Sequence, residues 1–208
     1  MRHGVRLALA PLVLGLVVGC ASGGPEGVAP SGPAPSVSTP AGPTAPVSPT
    51  ADLKAGVLAK AMASGETPTD AGMSDVVLNK GSGTFLWETD KGRLCLAQVT
   101  GSGSPHARMC GDPLGATPEQ PGSPVSRAFG PGTAPEGWMV VLLAEHSHRV
   151  TSVRFRGEEA DWKFVRTLAP ALSGRDVYYV PLRDAPTGDL ELTFDVGGQQ
   201  RKELLRFT

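Results

Sequence analysis

This sequence predicts an all-β fold of antiparallel sheets, built as a sandwich of immunoglobulin-like architecture or as a partly open barrel, with one short N-terminal helix and a disordered N-terminal linker. Three observations carry that reading. Short apolar runs recur from Thr84 onward, separated by Gly, Pro and Asp. Leu190, Leu192, Phe194 and Val196 alternate with Glu191, Thr193 and Asp195, the period of a strand with one face buried and the other wet. The chain also holds 27 Gly and 20 Pro in 208 residues, about twice their ordinary share of roughly 12%, and part of that excess sits in one block near the front.

The N-terminus comes first. Arg2, His3 and Arg6 make a basic start, and Leu7 to Val18 is an uncharged, mostly apolar run. It is too short for the roughly 20 residues that a bilayer span takes, and it has the length of a secretory signal core. The run ends at Val17-Val18-Gly19-Cys20, which resembles the lipobox of bacterial lipoproteins. An excess of Arg over Lys, 13 to 6, with abundant Ala, Gly and Pro, is similar to the actinomycete members of that class. The resemblance covers residues 1 to about 22. It implies cleavage after a signal peptide of residues 1–19, acylation of the Cys20 sulfur, and a chain anchored by membrane lipid on the extracytoplasmic face of the cell membrane.

Residues 20–51 read as a linker. Residues 21–50 hold eight Pro and five Gly and no aromatic residue, so they bury too little apolar surface to offset the entropy of ordering. Thirty such residues span roughly 30 Å as a flexible coil and roughly 90 Å as extended polyproline, which makes the segment a spacer. A Pro-rich recognition ligand or a glycosylated stalk has the same composition.

Residues 52–208 contain all the Trp, Phe and Tyr and form a single globular domain. Asp52 to Ser64 predicts its helix, with Leu53, Val57, Leu58, Ala61 and Met62 on one side, Asp52 as the cap and Gly65 as the stop. Thr84–Thr89 and Arg93–Val99 flank a turn at Asp90-Lys91-Gly92. A second hairpin, folded about Ser102-Gly103, places Cys95 opposite Cys110 and makes a disulfide of the two thiols that remain once Cys20 is acylated. The first hairpin sets Trp87 near Cys95 as ordinary core packing. Gly111 to Gly137 is expected to be a long surface loop. Trp138 to Ala144 is continuously apolar, a central strand covered on both faces. Val150–Arg156, Asp161–Arg166, Asp176–Leu182, Leu190–Val196 and Arg201–Phe207 complete the strands.

Charge excludes one class of partner. A net charge of −1 offers no surplus to neutralise phosphates, so no nucleic-acid partner is expected. Motifs for nucleophile elbows, phosphate loops, zinc proteases and redox Cys pairs are missing, so no catalytic residue and no cofactor are assigned. His146 and His148 are weak metal candidates: two imidazoles, even with Glu145, fall short of a closed zinc site, and an exposed hairpin tip explains the same letters. His106 and Cys110, four apart on a strand, stand roughly 13 Å apart, too far for a base to activate a thiol. Asp176, Asp184, Asp189 and Glu191 offer carboxylates with no pair singled out by spacing. Arg149, Arg154 and Arg156 near Glu158, Glu159 and Asp161 read as a solvated face. Tyr178 and Tyr179 must point to opposite faces of a strand, one into the core and one onto an outer, possible interaction surface, while Pro181 marks an edge strand or a strand end.

The function these features favour is a membrane-anchored, noncatalytic binding module for an extracytoplasmic protein or cell-wall component. An envelope-acting enzyme without a recognisable motif, and a small-ligand or metal carrier, are the alternatives. Limited proteolysis of the exported chain is expected to cut within residues 21–50 and leave a resistant fragment beginning near Asp52; resistance throughout that segment would show it to be ordered.

Overall fold

The computed structural model describes residues 49–101, 104–118, 120–134 and 137–208; the signal peptide, Cys20 and the linker up to residue 48 lie outside them. The described chain runs through helix α1 (Pro49–Ala63) and strands β1 (Pro68–Asn79), β2 (Ser82–Thr89), β3 (Leu94–Thr100) and β4 (Ser104–Gly111). Then come β5 (Val125–Ala134), β6 (Gly137–Ala144), β7 (Arg149–Phe155), β8 (Glu158–Glu159) and β9 (Lys163–Thr167). A 3₁₀ turn at Pro170–Leu172 leads to β10 (Asp176–Leu182), β11 (Gly188–Val196) and β12 (Gln199–Phe207). No described helix is long and apolar enough to cross a membrane.

The all-β antiparallel sandwich is present, with three sheets and no closed barrel. Their strand orders are β1-β2-β3-β4, β5-β6-β10-β9 and β12-β11-β7-β8. The sheet containing β6 lies in the middle, because strand alternation gives that strand two apolar faces. Val140, Leu142 and Ala144 pack with Leu190, Leu192, Phe194, Leu205 and Phe207 of the third sheet. Met139, Val141 and Leu143 pack with Leu86, Leu94 and Leu96 of the first. Each fully buried aliphatic side chain contributes about 1.5–3 kcal/mol. The outer face of the first sheet carries Phe85, Trp87, Cys95, Ala97 and Val99, and α1 covers it with Leu53, Val57 and Ala61.

Two elements depart from the sequence expectation at the helix and in the expected loop. The helix begins at Pro49 instead of Asp52, which falls in its first turn; proline suits a first helical position, where its missing N–H has no partner to lose. Its buried stripe is narrower than expected, since Leu58 and Met62 are 38% and 56% exposed. The stretch from Gly111 to Gly137 contains β5 and is not loop throughout. Its Gly130-Pro131-Gly132 run hides the strand, and register shifts between Arg127 and Phe129 and between Phe129 and Gly132 absorb it. The first shift also turns β5 over, so that Val125 packs toward the third sheet and Phe129 toward the first.

Strand β1 has no counterpart in the sequence expectation. It is polar, with register shifts against β2 between Pro68 and Met73 and between Asp75 and Val77, and Val76 is its one fully buried side chain. Cations of β9 hold it to the middle sheet. Lys163 Nζ donates to the carbonyls of Asp75 and Val76 at 3.1 and 2.9 Å, and Arg166 donates to Gly72 O at 3.2 Å. Arg166 Nε also lies 3.2 Å from Oε1 of the buried Glu88, whose other oxygen accepts the Ala169 N–H at 2.9 Å.

Breaking a buried ion pair by removing one partner costs about 3–5 kcal/mol, whereas replacing both with apolar groups is often neutral. Glu88→Leu is therefore expected to lower unfolding stability by about 3 kcal/mol, and Glu88→Leu with Arg166→Leu to recover only part of that loss, because the bond to Gly72 O and the acceptor of the Ala169 N–H stay missing, as read by urea denaturation.

Candidate functional site

The hairpin register expected around the cysteines is present. Cys95 faces Cys110 across β3 and β4, and Trp87 faces Cys95 across β2 and β3. The two cysteines form a disulfide with their α-carbons 4.1 Å apart. The fold adds two residues that sequence reasoning missed. The chain leaving α1 turns back so that the Glu66 N–H donates to Ala61 O at 2.9 Å and Trp87 Nε1 donates to Glu66 O at 2.9 Å. This sets Glu66 Oε2 3.7 Å from Cys95 Sγ, while Arg93 donates to Glu66 Oε1 at 2.5 Å and to Cys110 O at 2.9 Å. Glu66 sits in an unpatterned stretch between helix and strand, so nothing local signals its place. The side chain of His106, weighed as a base for Cys110, lies outside the described residues.

The two histidines diverge. His146 Nδ1 lies 2.9 Å from Asp176 Oδ1, which also accepts the Thr167 hydroxyl at 2.7 Å. His148 Nδ1 lies 2.9 Å from Ser147 Oγ and 3.6 Å from Glu145 Oε2, with its ring edge-on to Phe194. Among the described residues, no cluster of donors close enough for a metal includes either imidazole. The four carboxylates weighed for acid–base work are likewise dispersed. Asp176 is buried under His146, Asp189 pairs with Arg206 at 3.1 Å and Glu191 with Lys202 at 2.9 Å, and Asp184 lines a separate cleft.

Tyr178 and Tyr179 point to opposite faces as expected, but neither forms an outer surface. They are 3% and 4% exposed, because β10 lies inside the middle sheet, between β6 and β9. Tyr178 belongs to the core against the third sheet and Tyr179 to the core against the first. Pro181 lies where β10 still pairs with β6 but has passed the end of β9, so it marks a half-flanked segment of an interior strand.

An open cleft of about 410 Å³ lies between the end of β10 and the β7–β8 hairpin. Phe155, Ala160, Pro181 and Leu182 line it together with the carboxylates of Glu158, Glu159, Asp161 and Asp184 and the guanidinium of Arg183, and the Arg156 guanidinium stands 5.0 Å over the Phe155 ring. Arg156 ties its two walls together. Its backbone takes a left-handed φ of 52°, and its side chain donates to Thr187 O, Thr187 Oγ1 and Ala185 O at 2.7, 2.8 and 3.0 Å. Gly188 makes room for that side chain, since a Cβ there would lie 3.2 Å from Arg156 Cγ. The charged residues read as a solvated face are exposed as expected, and Glu158, Glu159 and Asp161 among them line this cleft.

No family model, curated protein or solved structure matches this chain.

Burial pushes the Tyr178 phenol above its ordinary pKa; the Asp176 charge adds to that, while the bond to Val150 and the Arg149 charge oppose it. The folded state therefore favours the neutral phenol. Its contribution to stability is complete below the unfolded value of about 10 and is lost as pH rises from there toward the folded value. Tyr178→Phe is expected to remove that alkaline loss while costing about 1–3 kcal/mol at neutral pH, because the buried Val150 N–H loses its acceptor, as measured by urea midpoints on both sides of about pH 10.

Proposed function

We propose that this protein is a bacterial lipoprotein held on the extracytoplasmic face of the cell membrane by acylated Cys20, and that its β domain is a noncatalytic binding module for a protein or cell-envelope component. The basic start, the short apolar run and the Gly19-Cys20 junction support the anchor. The cleft between β10 and the β7–β8 hairpin carries the binding reading. Its size falls in the range that takes a side chain or small group, and its four lining carboxylates against Arg183 suit a cationic group on the partner.

Cys20→Ala is expected to abolish labelling of the protein by a lipid precursor and to shift it toward the soluble fraction; labelling that persists in the variant excludes acylation at Cys20. In-cell crosslinking of the tethered domain is expected to capture a defined partner. Glu158→Gln, Glu159→Gln, Asp161→Asn and Asp184→Asn combined should reduce that capture about tenfold or more, equal to a loss of about 1.4 kcal/mol. Undiminished capture by the combined variant places the binding surface elsewhere.

A further inference from the structure

The Cys95–Cys110 bond has an acidic neighbour that cross-linking does not require. Glu66, Cys95 and Cys110 each present a donor atom, and all three lie within 4.8 Å of one another. No other group of three or more His, Cys, Asp and Glu donors among the described residues meets that condition. While the sulfurs are bonded to each other they have no charge to offer a cation. We propose that reduction of this disulfide uncovers a binding site for a thiophilic divalent cation of the zinc class, with the Cys95 and Cys110 thiolates and the Glu66 carboxylate as ligands and water in the fourth position.

Coordination geometry supports that donor set. A tetrahedral ion with bonds of about 2.3 Å to sulfur and about 2.1 Å to oxygen separates neighbouring S and O ligands by roughly 3.6 Å and two S ligands by roughly 3.8 Å. Glu66 Oε2 already stands 3.7 Å from Cys95 Sγ. The two cysteines face each other directly, with α-carbons 4.1 Å apart, so the reduced sulfurs start as neighbours and need to part only to that edge. Glu66 is held from its backbone by Ala61 and Trp87. Arg93 takes Oε1 and leaves Oε2 turned to the sulfurs, the outer contact that orients a ligating carboxylate. Cys95 is wholly buried, while Cys110 and Glu66 are partly exposed, so a reductant and a cation approach from the Cys110 side.

The redox step needs a dithiol oxidoreductase as co-reactant. Its thiolate attacks Cys110 Sγ, the bond to Cys95 breaks, and Cys95 leaves as a thiolate that takes a proton. The second reductant thiol then displaces Cys110 from the mixed disulfide; the reductant leaves oxidised, and Cys110 takes the second proton. The cation afterwards displaces one proton from each thiol to water.

The test uses the full chain carrying Cys20→Ser, so that two thiols remain, reduced with a phosphine and titrated with Co²⁺. The reduced chain is expected to bind one ion with thiolate-to-cobalt charge-transfer absorption and tetrahedral visible bands. The oxidised chain should bind none, and Glu66→Gln should weaken binding about tenfold or more. Zn²⁺ should displace the cobalt. Absence of the charge-transfer absorption on the reduced chain, or an identical titration of Glu66→Gln, overturns the proposal. If the reduced chain unfolds, recovery of its circular dichroism on adding Co²⁺ supports the site, because metal binding then carries folding; a chain that stays unfolded with cobalt present overturns it.

Discussion

One constraint organises this molecule: the strand β6 is apolar on both faces and must be covered twice. Met139, Val141 and Leu143 face one core, and Val140, Leu142 and Ala144 face the other. A two-layer sandwich covers one face of each sheet and leaves the other to water. Here the middle sheet needs a partner on each side, and a third sheet supplies it. Position in that sheet then decides the fate of β10, whose tyrosines are both internal because β6 and β9 flank the strand that carries them.

Stacking three sheets also decides where polar groups can go. Lys163 and Arg166 reach from the middle sheet to the backbone of β1, and Glu88 enters the interior only because Arg166 and the Ala169 N–H meet it there. A buried charge without such partners is strongly unfavourable. Beside the end of β10 lies the acidic cleft, and Arg156 joins the β7–β8 turn to the β10–β11 connection through three bonds.

Local signals were legible where they were dense. Turn residues at Asp90-Lys91-Gly92 and between Gly101 and Ser104 set two hairpins, and from these follow the pairing of Cys95 with Cys110 and of Trp87 with Cys95. Strand β10 matches its expected span, Asp176–Leu182. Elements with little apolar patterning were not legible. β1 is polar and bulged, and β5 carries Gly130-Pro131-Gly132; both exist because a neighbouring strand pairs with them. Glu66 and Arg93 gave no signal at all, since their importance lies in contacts 29 and 17 residues away along the chain.

By itself the sequence determined the fold class, the span of most strands and the facing of the two cysteines, because alternation and turn chemistry act within about ten residues of chain. It also carries the lipobox resemblance, which needs no folded domain to be read. Tertiary structure alone decided the number of sheets, the burial of both Tyr178 and Tyr179, the cleft at the β7–β8 hairpin and the placing of Glu66 beside a disulfide. Each of these depends on which layer covers which, and that follows from packing between segments far apart in the chain, where no local pattern reaches.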